Sequence, residues 1–367
     1  MPRAVVVYNP GSPVEVVEVT LGELREDDVL VSYKAAGLCH TDVSVMQGLL
    51  PVSTPMIPGH EGAGVVEAVG SAVTHVKPGD HVALSGTIHC GRCLACVRGR
   101  VNLCEWGLPK IFSGRQPDED VRAYDAQGRE ILQWSCIATL SEQAIVPGRS
   151  VIPIPDDVPF EVAALIGCGV LTGAGAVFNR TTPHAGSSVV VFGAGGVGLN
   201  VIQASRLVGA AMIIAVDPSP MKRDLAISMG ATDVVDPGAG DVAEQVRALT
   251  GGRGADYAFE CVGQASAVRN AWDSIHYLGV LTTIGVPPDG QIVELPAVEM
   301  WATEKTLRAS LFGSNNPLVD IPNIIELYRK GRLKVDELVT RRYSLDQIND
   351  AIEDLEASRN ARGVIMM

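Results

Sequence analysis

The feature of this sequence that most constrains its fold is a run of four cysteines within 15 residues, spaced C-x2-C-x2-C-x7-C. The run consists of Cys90, Cys93, Cys96 and Cys104. Thiolates this close in sequence can converge on one tetrahedral metal ion, and four of them leave no coordination position for a substrate. The run therefore predicts a closed, structural zinc site in a small lobe of about residues 88–106.

Two other uses of these cysteines are less favoured. Disulfides suit small secreted proteins, but the other four cysteines are scattered and the N-terminus does not resemble a secretory signal. Bacterial ferredoxins also use a C-x2-C-x2-C run for iron–sulfur clusters, but there the fourth cysteine follows after three residues and precedes a proline. Here seven residues intervene and Glu105 follows, which favours zinc.

Length and charge narrow the class of protein. A chain of 367 residues is longer than one hydrophobic core usually supports, so two domains are expected. Acidic residues outnumber basic ones 42 to 29, and the formal net charge of -13 disfavours nucleic acid as a partner. An uncharged, apolar stretch, residues 162–178, falls just short of membrane-spanning length and holds four glycines. We expect a cytoplasmic protein with no targeting segment and no membrane partner.

The pattern along the chain predicts an α/β fold in two parts. Up to about residue 155, short valine-rich runs alternate with Gly, Pro and Asp turn signals, which indicates a β-rich domain. From about residue 160 to about residue 312, apolar strands alternate with helical stretches, which indicates a doubly wound parallel sheet. The remaining C-terminal residues are too few to fold alone. We therefore expect residues 1–169 and 313–367 to form one domain and residues 170–312 the other.

A glycine turn predicts a nucleotide site in the second domain. The apolar strand Val189–Phe192 leads into G-x-G-x-x-G, formed by Gly193, Gly195 and Gly198, and a helical pattern follows. Glycines let the backbone approach a pyrophosphate, whose charge then lies at the helix N-terminus.

An acid downstream of this turn indicates which dinucleotide is used. The strand Met212–Val216 ends at Asp217, 19 residues beyond Gly198, where this fold places a carboxylate on the adenosine ribose hydroxyls. A carboxylate there repels a 2′-phosphate, so NAD is favoured over NADP, although Lys222 and Arg223 could reach a phosphate. The alternative is that Asp217 only opens the turn Asp-Pro-Ser-Pro.

Three scattered residues form a candidate second metal site. Each of Cys39, His60 and Cys168, taken alone, is more often a buried structural residue than a ligand. Together they supply two thiolates and an imidazole, which is the set that leaves a catalytic zinc one open position.

The sequence resembles the zinc-dependent medium-chain alcohol dehydrogenases over essentially its full length. The motifs G-L-C-H-T-D, G-H-E-G, the four-cysteine run, G-C-G-V-L-T-G and G-A-G-G-V-G occur in that family's order. The resemblance implies a GroES-like catalytic domain split around a Rossmann domain that binds NAD. It also implies two zinc ions per chain, one catalytic on Cys39, His60 and Cys168 and one structural on the four-cysteine run. The long polar segment 105–134 is similar to that of dimeric relatives, which implies a homodimer rather than a tetramer.

The resemblance also implies roles for individual residues. Thr41 would hydrogen-bond the reacting alcohol oxygen, Asp42 would support His60, and Glu61 would lie behind the metal and transiently ligate it. The implied cofactor contacts are His40 and Arg362 at the pyrophosphate, Thr172 and Phe312 beside the nicotinamide, and Gly193, Gly195, Gly196, Val197, Gly198, Asp217, Lys222, Ile284 and Val286.

Two positions depart from the family pattern. Ser44 stands where relatives carry a histidine that ends a proton relay, and a serine can pass a proton but cannot store one near neutral pH. We expect a relay through Ser44 without a histidine-like step in the pH profile. Gly86 stands where relatives often carry a bulky side chain, so space for an aromatic or longer-chain alcohol is expected unless Leu50, Leu103 or the 105–134 segment fills it.

The predicted activity is reversible hydride transfer between a primary alcohol and NAD, with a small-molecule alcohol or aldehyde as substrate. One alternative is a formaldehyde dehydrogenase acting on hydroxymethyl adducts of glutathione or mycothiol, which would need basic groups such as Lys110 and Arg115. A second is a nicotinoprotein that never releases NAD. A third, from a different class, is a non-catalytic zinc- and nucleotide-binding structural protein.

Overall fold

The computed structural model describes all 367 residues, Met1–Met367. The chain forms two compact units, which we call unit 1 and unit 2. Unit 1 contains Met1–Gly169, Asn315–Gly331 and Val335–Met367, and unit 2 contains Val170–Ser314 and Arg332–Lys334.

Nineteen strands and twelve α-helices build the two units. The strands are β1 Arg3–Val6, β2 Glu15–Glu18, β3 Thr20–Leu21, β4 Asp28–Leu38, β5 Met56–Ile57, β6 Glu61–Val69, β7 His81–Leu84, β8 Ala123–Tyr124, β9 Glu130–Gln133, β10 Gln143–Pro147, β11 Val151–Pro153, β12 Ser188–Phe192, β13 Met212–Val216, β14 Asp233–Val235, β15 Ala255–Glu260, β16 Ile275–Thr283, β17 Thr306–Ala309, β18 Val339–Ser344 and β19 Arg362–Met366. The helices are α1 His40–Met46, α2 Leu94–Val97, α3 Gly107–Ser113, α4 Phe160–Leu165, α5 Leu171–Gly175, α6 Gly196–Leu207, α7 Pro220–Met229, α8 Val242–Leu249, α9 Ala265–Ser274, α10 Ala297–Thr303, α11 Pro317–Arg329 and α12 Ile348–Glu356.

Unit 1 is organised around a seven-stranded sheet of order β11-β7-β6-β4-β19-β18, with β10 also pairing with β4. The central strand β4 is antiparallel to β6, β10 and β19. Its valines alternate toward a buried cluster that includes Val29, Val31 and Val66. Beyond Val31 the strand continues to Leu38, because small buried residues such as Ala35 and Ala36 keep it in the sheet.

Unit 2 contains six parallel strands in the order β14-β13-β12-β15-β16-β17. Numbered from β12, this order is 3-2-1-4-5-6, the arrangement of a Rossmann fold. Its strands are almost continuously apolar because both faces are covered, and Val190, Ile214 and Trp272 lie in one buried cluster. The predicted α/β fold class is confirmed.

One helical segment is long and apolar enough to cross a membrane by length and composition. This segment, Phe160–Thr181, has 89% of its most apolar window buried inside the protein. Its glycines allow close packing, since a Cβ on Gly173 would lie 2.3 Å from the Val197 carbonyl oxygen in α6. The segment is a core element of the fold.

Candidate active site

Three metal-ligating groups converge at one end of the β4–β6 pair. One ligand atom each from Cys39, His60 and Glu61 lies within 4.8 Å of the others. Strand β4 ends one residue before Cys39, β6 begins one residue after His60, and Gly37 pairs with Glu61 in the antiparallel register. The sheet register therefore brings together two motifs that are about twenty residues apart in sequence.

Asp42 fixes the orientation of His60. The Nδ1 atom of His60 lies 2.7 Å from Asp42 Oδ1, and this oxygen also accepts the Gly59 amide hydrogen at 3.2 Å. The second carboxylate oxygen accepts the Cys39 amide hydrogen at 3.2 Å. Because Nδ1 is held by the carboxylate, Nε2 is the nitrogen left for a metal, as in most histidine metal sites.

Cys168 joins this group from a different part of the chain. It lies in a π-helical turn, Ile166–Val170, and its thiol shares a hydrogen bond with the His60 imidazole. Burial raises the pKa of Cys168, and the charge and hydrogen bond of His60 oppose this shift without cancelling it. Burial opposes protonation of His60, but the charges of Asp42 and Cys168 hold the pKa of His60 well above its usual value. The site thus combines two thiols, an imidazole and a carboxylate, a mixture of donors that suits zinc.

Glu61 is buried, and one of its oxygens has no hydrogen-bond partner. Its Oε2 is ion-paired with the Arg362 guanidinium, whereas Oε1 is fully buried and unpartnered. A Cβ on Gly37 would lie 2.1 Å from Oε2, and one on Gly169 would lie 2.6 Å from Arg362 Nη1, so both glycines leave room for the pair. An orphaned carboxylate oxygen beside sulfur and nitrogen donors is a group that a bound cation would satisfy. The donor set therefore fits a catalytic zinc ion.

Arg362 lies in unit 1 and is 5% exposed. Its pKa is raised above the usual value: burial opposes the charge, but the charges of Glu61 and Cys39 outweigh it. The structure assigns it this buried pair, and the pyrophosphate contact implied by the family resemblance remains a prediction.

The four cysteines of the surface lobe converge as well. One sulfur from each of Cys90, Cys93, Cys96 and Cys104 lies within 4.8 Å of the others. Backbone amides donate to these sulfurs at 3.3 Å, from Cys93 to Cys90 and from Cys90 and Gly107 to Cys104. The amides of Arg92 and Cys93 lower the pKa of Cys90 to about 6, whereas burial raises the pKa of Cys96 to about 12. Four sulfurs with amide donors behind them fit a saturated zinc site.

The glycine turn of unit 2 has the shape required for a pyrophosphate. Gly193 has φ = +86°, and a Cβ on Gly198 would lie 1.8 Å from the Gly193 carbonyl oxygen. Nothing lies within 4 Å of the position that a Cβ would take on Gly195, so the turn is open on that side. Helix α6 begins at Gly196, followed by Val197, and directs its free amides to this opening.

Asp217 lies beside the turn, at the end of β13. Its Oδ2 accepts the Ala194 amide hydrogen and its Oδ1 the Ser219 amide hydrogen, both at 2.9 Å. Each oxygen keeps a lone pair for a ribose hydroxyl. Lys222 follows on α7. The residues present therefore fit a dinucleotide.

Four of the residues predicted to contact the cofactor lie in two pairs of adjacent segments. The turn Phe312–Ser314 packs on α5, since a Cβ on Gly313 would lie 3.0 Å from Thr172 Cα. Ile284 and Val286 follow β16, and a Cβ on Gly263 would lie 2.5 Å from the Val286 carbonyl oxygen.

Glu260 organises the second pair and is not evident from the sequence. Its Oε1 accepts the amide hydrogens of Val262 and Gly263, and its backbone carbonyl accepts those of Ile284 and Gly285. In the sequence, the one indication of a role for Glu260 was its position at the end of an apolar strand.

Trp134 and Phe112 are also absent from the predicted site. The Trp134 indole nitrogen lies 3.4 Å from His60 Nδ1, and its ring meets Phe112 edge to face at 5.9 Å between centroids. Leu50 belongs to the same buried cluster as Trp134. The sequence offered no signal that the 105–134 segment returns an aromatic side chain to His60, because the two residues lie 74 positions apart.

The expectation of open space at Gly86 is wrong. A Cβ on Gly86 would lie 2.9 Å from the Ser135 Cβ, so Ser135 already fills this position. Ser135 and Cys136 have φ values of +54° and +62°, unusual for residues other than glycine, and such strained backbone is frequent beside functional sites.

The predicted proton-relay residues lie on α1, which begins directly after Cys39. The Thr41 hydroxyl lies 3.8 Å from Cys39 Sγ, which places it beside the donor set. Ser44 is half-buried one turn further along, and His40 is exposed at the first position of the helix.

Together, the Rossmann unit and the two donor sets define a zinc-binding dehydrogenase. Two family profiles agree: "Alcohol dehydrogenase GroES-like domain" matches residues 25–156 and "Zinc-binding dehydrogenase" matches residues 196–329. The "NDMA-dependent alcohol dehydrogenase" of Amycolatopsis methanolica is 41% identical over 99% of this chain and 98% of its own length. The "S-(hydroxymethyl)glutathione dehydrogenase" of Paracoccus denitrificans is 37% identical over 99% of both chains. The chain belongs to the zinc-dependent medium-chain alcohol dehydrogenase family.

Solved structures support the same assignment. An "alcohol dehydrogenase zinc-binding domain protein" from Burkholderia ambifaria superposes with a TM-score of 0.95 at 34% identity, covering 100% of this chain and 98% of the other. The benzyl alcohol dehydrogenase of Acinetobacter calcoaceticus gives a TM-score of 0.92 at 31% identity, covering 100% and 99%. The predicted family and the predicted enzyme class are confirmed.

Proposed function

We propose that this enzyme oxidises an aromatic or longer-chain primary alcohol to the aldehyde with NAD, using a catalytic zinc held by Cys39, His60 and Cys168. The observation that carries this proposal is the buried, carboxylate-oriented His60 beside two thiols and an unpartnered Glu61 oxygen. When bound, zinc would polarise the alcohol oxygen and NAD would accept the hydride.

The chain's own residues would then prepare the alcohol for hydride loss. The Thr41 hydroxyl takes the alcohol proton, and Ser44 on the same helix passes it toward solvent. Asp42 keeps His60 in the metal-binding orientation, and Arg362 offsets the charge of Glu61 behind the donor set. The second zinc would bind the four-cysteine lobe and hold it together.

The aromatic pair beside His60 supports the proposed substrate class. The Trp134 ring meets the His60 ring edge to face at 6.5 Å between centroids, and Phe112 packs on Trp134, so an aromatic substrate would find aromatic partners beside the donor set. The similarity to a benzyl alcohol dehydrogenase supports the same proposal. Since Ser135 fills the position beside Gly86, the support comes from these rings rather than from open space at the glycine.

A substrate panel tests this function. We expect NAD reduction with benzyl alcohol and hexanol at higher kcat/KM than with ethanol. Trp134→Ala should lower kcat/KM for benzyl alcohol about tenfold, since an aromatic contact contributes on the order of 1 kcal/mol beyond its buried area. The matched control, Trp272→Ala, removes a buried tryptophan of unit 2 that lies in its apolar cluster and reports on folding alone. No turnover of any alcohol by zinc-loaded enzyme would reject the proposal.

The thiol-adduct alternative is supported by the name of the Paracoccus denitrificans relative and less by the charged residues of the 105–134 segment. The Lys110 ammonium is ion-paired with Glu119, and Arg115 binds both Glu130 and the Glu119 carbonyl. The two cations that would recognise a thiol-adduct carboxylate are thus already engaged. Turnover of formaldehyde plus glutathione exceeding that of benzyl alcohol would reverse this ranking.

A permanently bound cofactor is the second candidate, and the 41% identical relative named as NDMA-dependent favours it. On this proposal NAD stays in the protein, and an added electron acceptor replaces free NAD. Nicotinamide absorbance that survives gel filtration, together with turnover that requires the acceptor, would establish it. A cofactor-free preparation that turns over with added NAD would exclude it.

We also propose a cytoplasmic homodimer. Strand β17 is an unpaired edge of the unit 2 sheet, and exposed apolar side chains lie nearby, including Trp301 at 83% and Val298 at 77% exposure. Exposed apolar surface of this kind marks protein interfaces. Sedimentation should show a dimer that Trp301→Glu weakens. The eight cysteines, none of which forms a disulfide, suit a reducing compartment.

A further inference from the structure

Arg223 is a cation on the cofactor side of unit 2 that the proposed function leaves unused. It lies on α7, close to the carboxylate that would hold the adenosine ribose. Its Nη1 donates to the carbonyl oxygens of Asp217 and Pro218 at 2.7 and 3.0 Å. Its Nη2 lies 3.1 Å from Asp236 Oδ2. The guanidinium therefore lies beside Asp217, the residue whose carboxylate would hold the adenosine ribose.

Asp236 is placed to hold this cation by the register of the sheet. Strand β14 ends at Val235 and β13 at Val216, and these two residues pair in the parallel sheet. Asp217 and Asp236 therefore follow neighbouring strands at the same carboxyl edge, where dinucleotides bind in this fold. The Asp217 amide also donates to the Val235 carbonyl oxygen at 3.3 Å, which fixes the two strand ends together.

Asp236 is itself fixed in position. Its Oδ1 accepts the Gly238 amide hydrogen at 2.8 Å and begins a short helical turn, so Oδ2 is left to face Arg223. The Arg223 side chain is 16% exposed, compared with 40% for Asp236, so the guanidinium is the more enclosed partner. In this position the Arg223 guanidinium makes three contacts. To bind a phosphate, it would have to give up one of them.

We propose that Asp236 is a specificity-determining residue that withholds Arg223 from the 2′-phosphate of NADP. Two acids then act at this edge of the sheet in different ways. Asp217 repels the phosphate directly, and Asp236 engages the arginine that would otherwise bind it. Arginine is the side chain best suited to phosphate, so its engagement matters for cofactor choice. A 30% identical Sinorhizobium meliloti zinc-binding dehydrogenase of TM-score 0.82 was solved bound to NADP, which shows that this fold accommodates the phosphate.

Binding measurements test this inference independently of catalysis. The inference itself rests on the proposed use of NAD. Dissociation constants for NADP, NAD and 2′,5′-ADP are measured by titration calorimetry on wild type, Asp236→Asn, Arg223→Gln and the double variant. Asparagine keeps the oxygen that accepts the Gly238 amide, so the turn should persist. Asp233→Asn is the matched control, because it removes the same charge from β14 and Asp233 lies away from Arg223, bonded to Thr232.

We expect Asp236→Asn to bind NADP and 2′,5′-ADP about fivefold to tenfold more tightly than wild type, the effect of part of one charge-assisted hydrogen bond. NAD affinity should change less, and Arg223→Gln in the double variant should remove the gain. A gain no larger than that of Asp233→Asn, or one that persists without Arg223, would overturn the inference. Wild type that binds NADP as tightly as NAD would instead refute the proposed preference for NAD, so the two failures are distinguishable.

Discussion

The four-cysteine lobe and the Cys39–His60–Cys168 set are two metal-binding regions built in opposite ways. The lobe takes all its donors from 15 consecutive residues and stabilises them with backbone amides. The second set takes its donors from three distant segments and surrounds them with Asp42, Glu61 and Arg362. A local loop is enough to close a saturated site, whereas a site with an open position is assembled by the register of the sheet and by buried charges.

The largest expected effect separates the two regions by activity. Cys39→Ala should lower turnover by about a thousandfold or more, because metal polarisation of the alcohol supplies several kcal/mol. Thermal stability and the zinc of the lobe should remain. Steady-state kinetics, zinc analysis and calorimetric melting measure the three quantities, with Cys261→Ala, a thiol outside both donor sets, as the control. Retained turnover would contradict the assignment of chemistry to this set.

The opposite pattern is expected in the lobe. Cys104→Ser removes the sulfur that accepts two amide hydrogens and should lower Tm by roughly 5 °C or more, because a structural zinc contributes directly to folding. Turnover per folded molecule should stay within about threefold of wild type. Loss of activity as severe as that of Cys39→Ala in protein that is still folded would erase the distinction between the two regions.

A smaller effect is expected from the support of His60. Asp42→Asn should lower metal affinity or turnover about tenfold to a hundredfold, the usual effect of losing a carboxylate behind a ligating histidine. Zinc in the lobe should be unaffected, because Asp42 contacts only the second set. The half-buried turn residue Asp80, which is paired with Lys77, gives the control Asp80→Asn, and equal effects of the two substitutions would argue against a positioning role.

The same contrast explains how much of each region could be predicted from the sequence. The lobe, the glycine turn and the alternating strands were evident because their signals are local in sequence. The convergence of Cys39, His60 and Cys168 depended on family resemblance, since no spacing rule links two residues that the pairing of β4 with β6 brings together to a third in the turn Ile166–Val170. Trp134, Ser135 and Glu260 were not found, because their contacts join residues far apart in the chain or depend on backbone conformation. The expectation of open space at Gly86 failed for the same reason, because a glycine in the sequence does not show which neighbouring side chain fills the space beside it.

The smallest expected effect concerns the proton path. Ser44→Ala should lower the rate of the steps up to hydride transfer about threefold, since a serine only relays a proton. Stopped-flow single turnovers across a pH range measure it, and Ser32→Ala, in β4, is the control. The profile should show no histidine-like step from this position. An unchanged single-turnover rate would remove Ser44 from the relay.

The most direct test of the central claim, that this chain holds two zinc ions with separate tasks, is anomalous diffraction at the zinc edge from crystals of the purified enzyme. The account predicts one peak within bonding distance of Cys39, His60 and Cys168 and a second at the centre of Cys90, Cys93, Cys96 and Cys104. A peak at the four cysteines alone, in enzyme that is active with NAD and an alcohol, would contradict it.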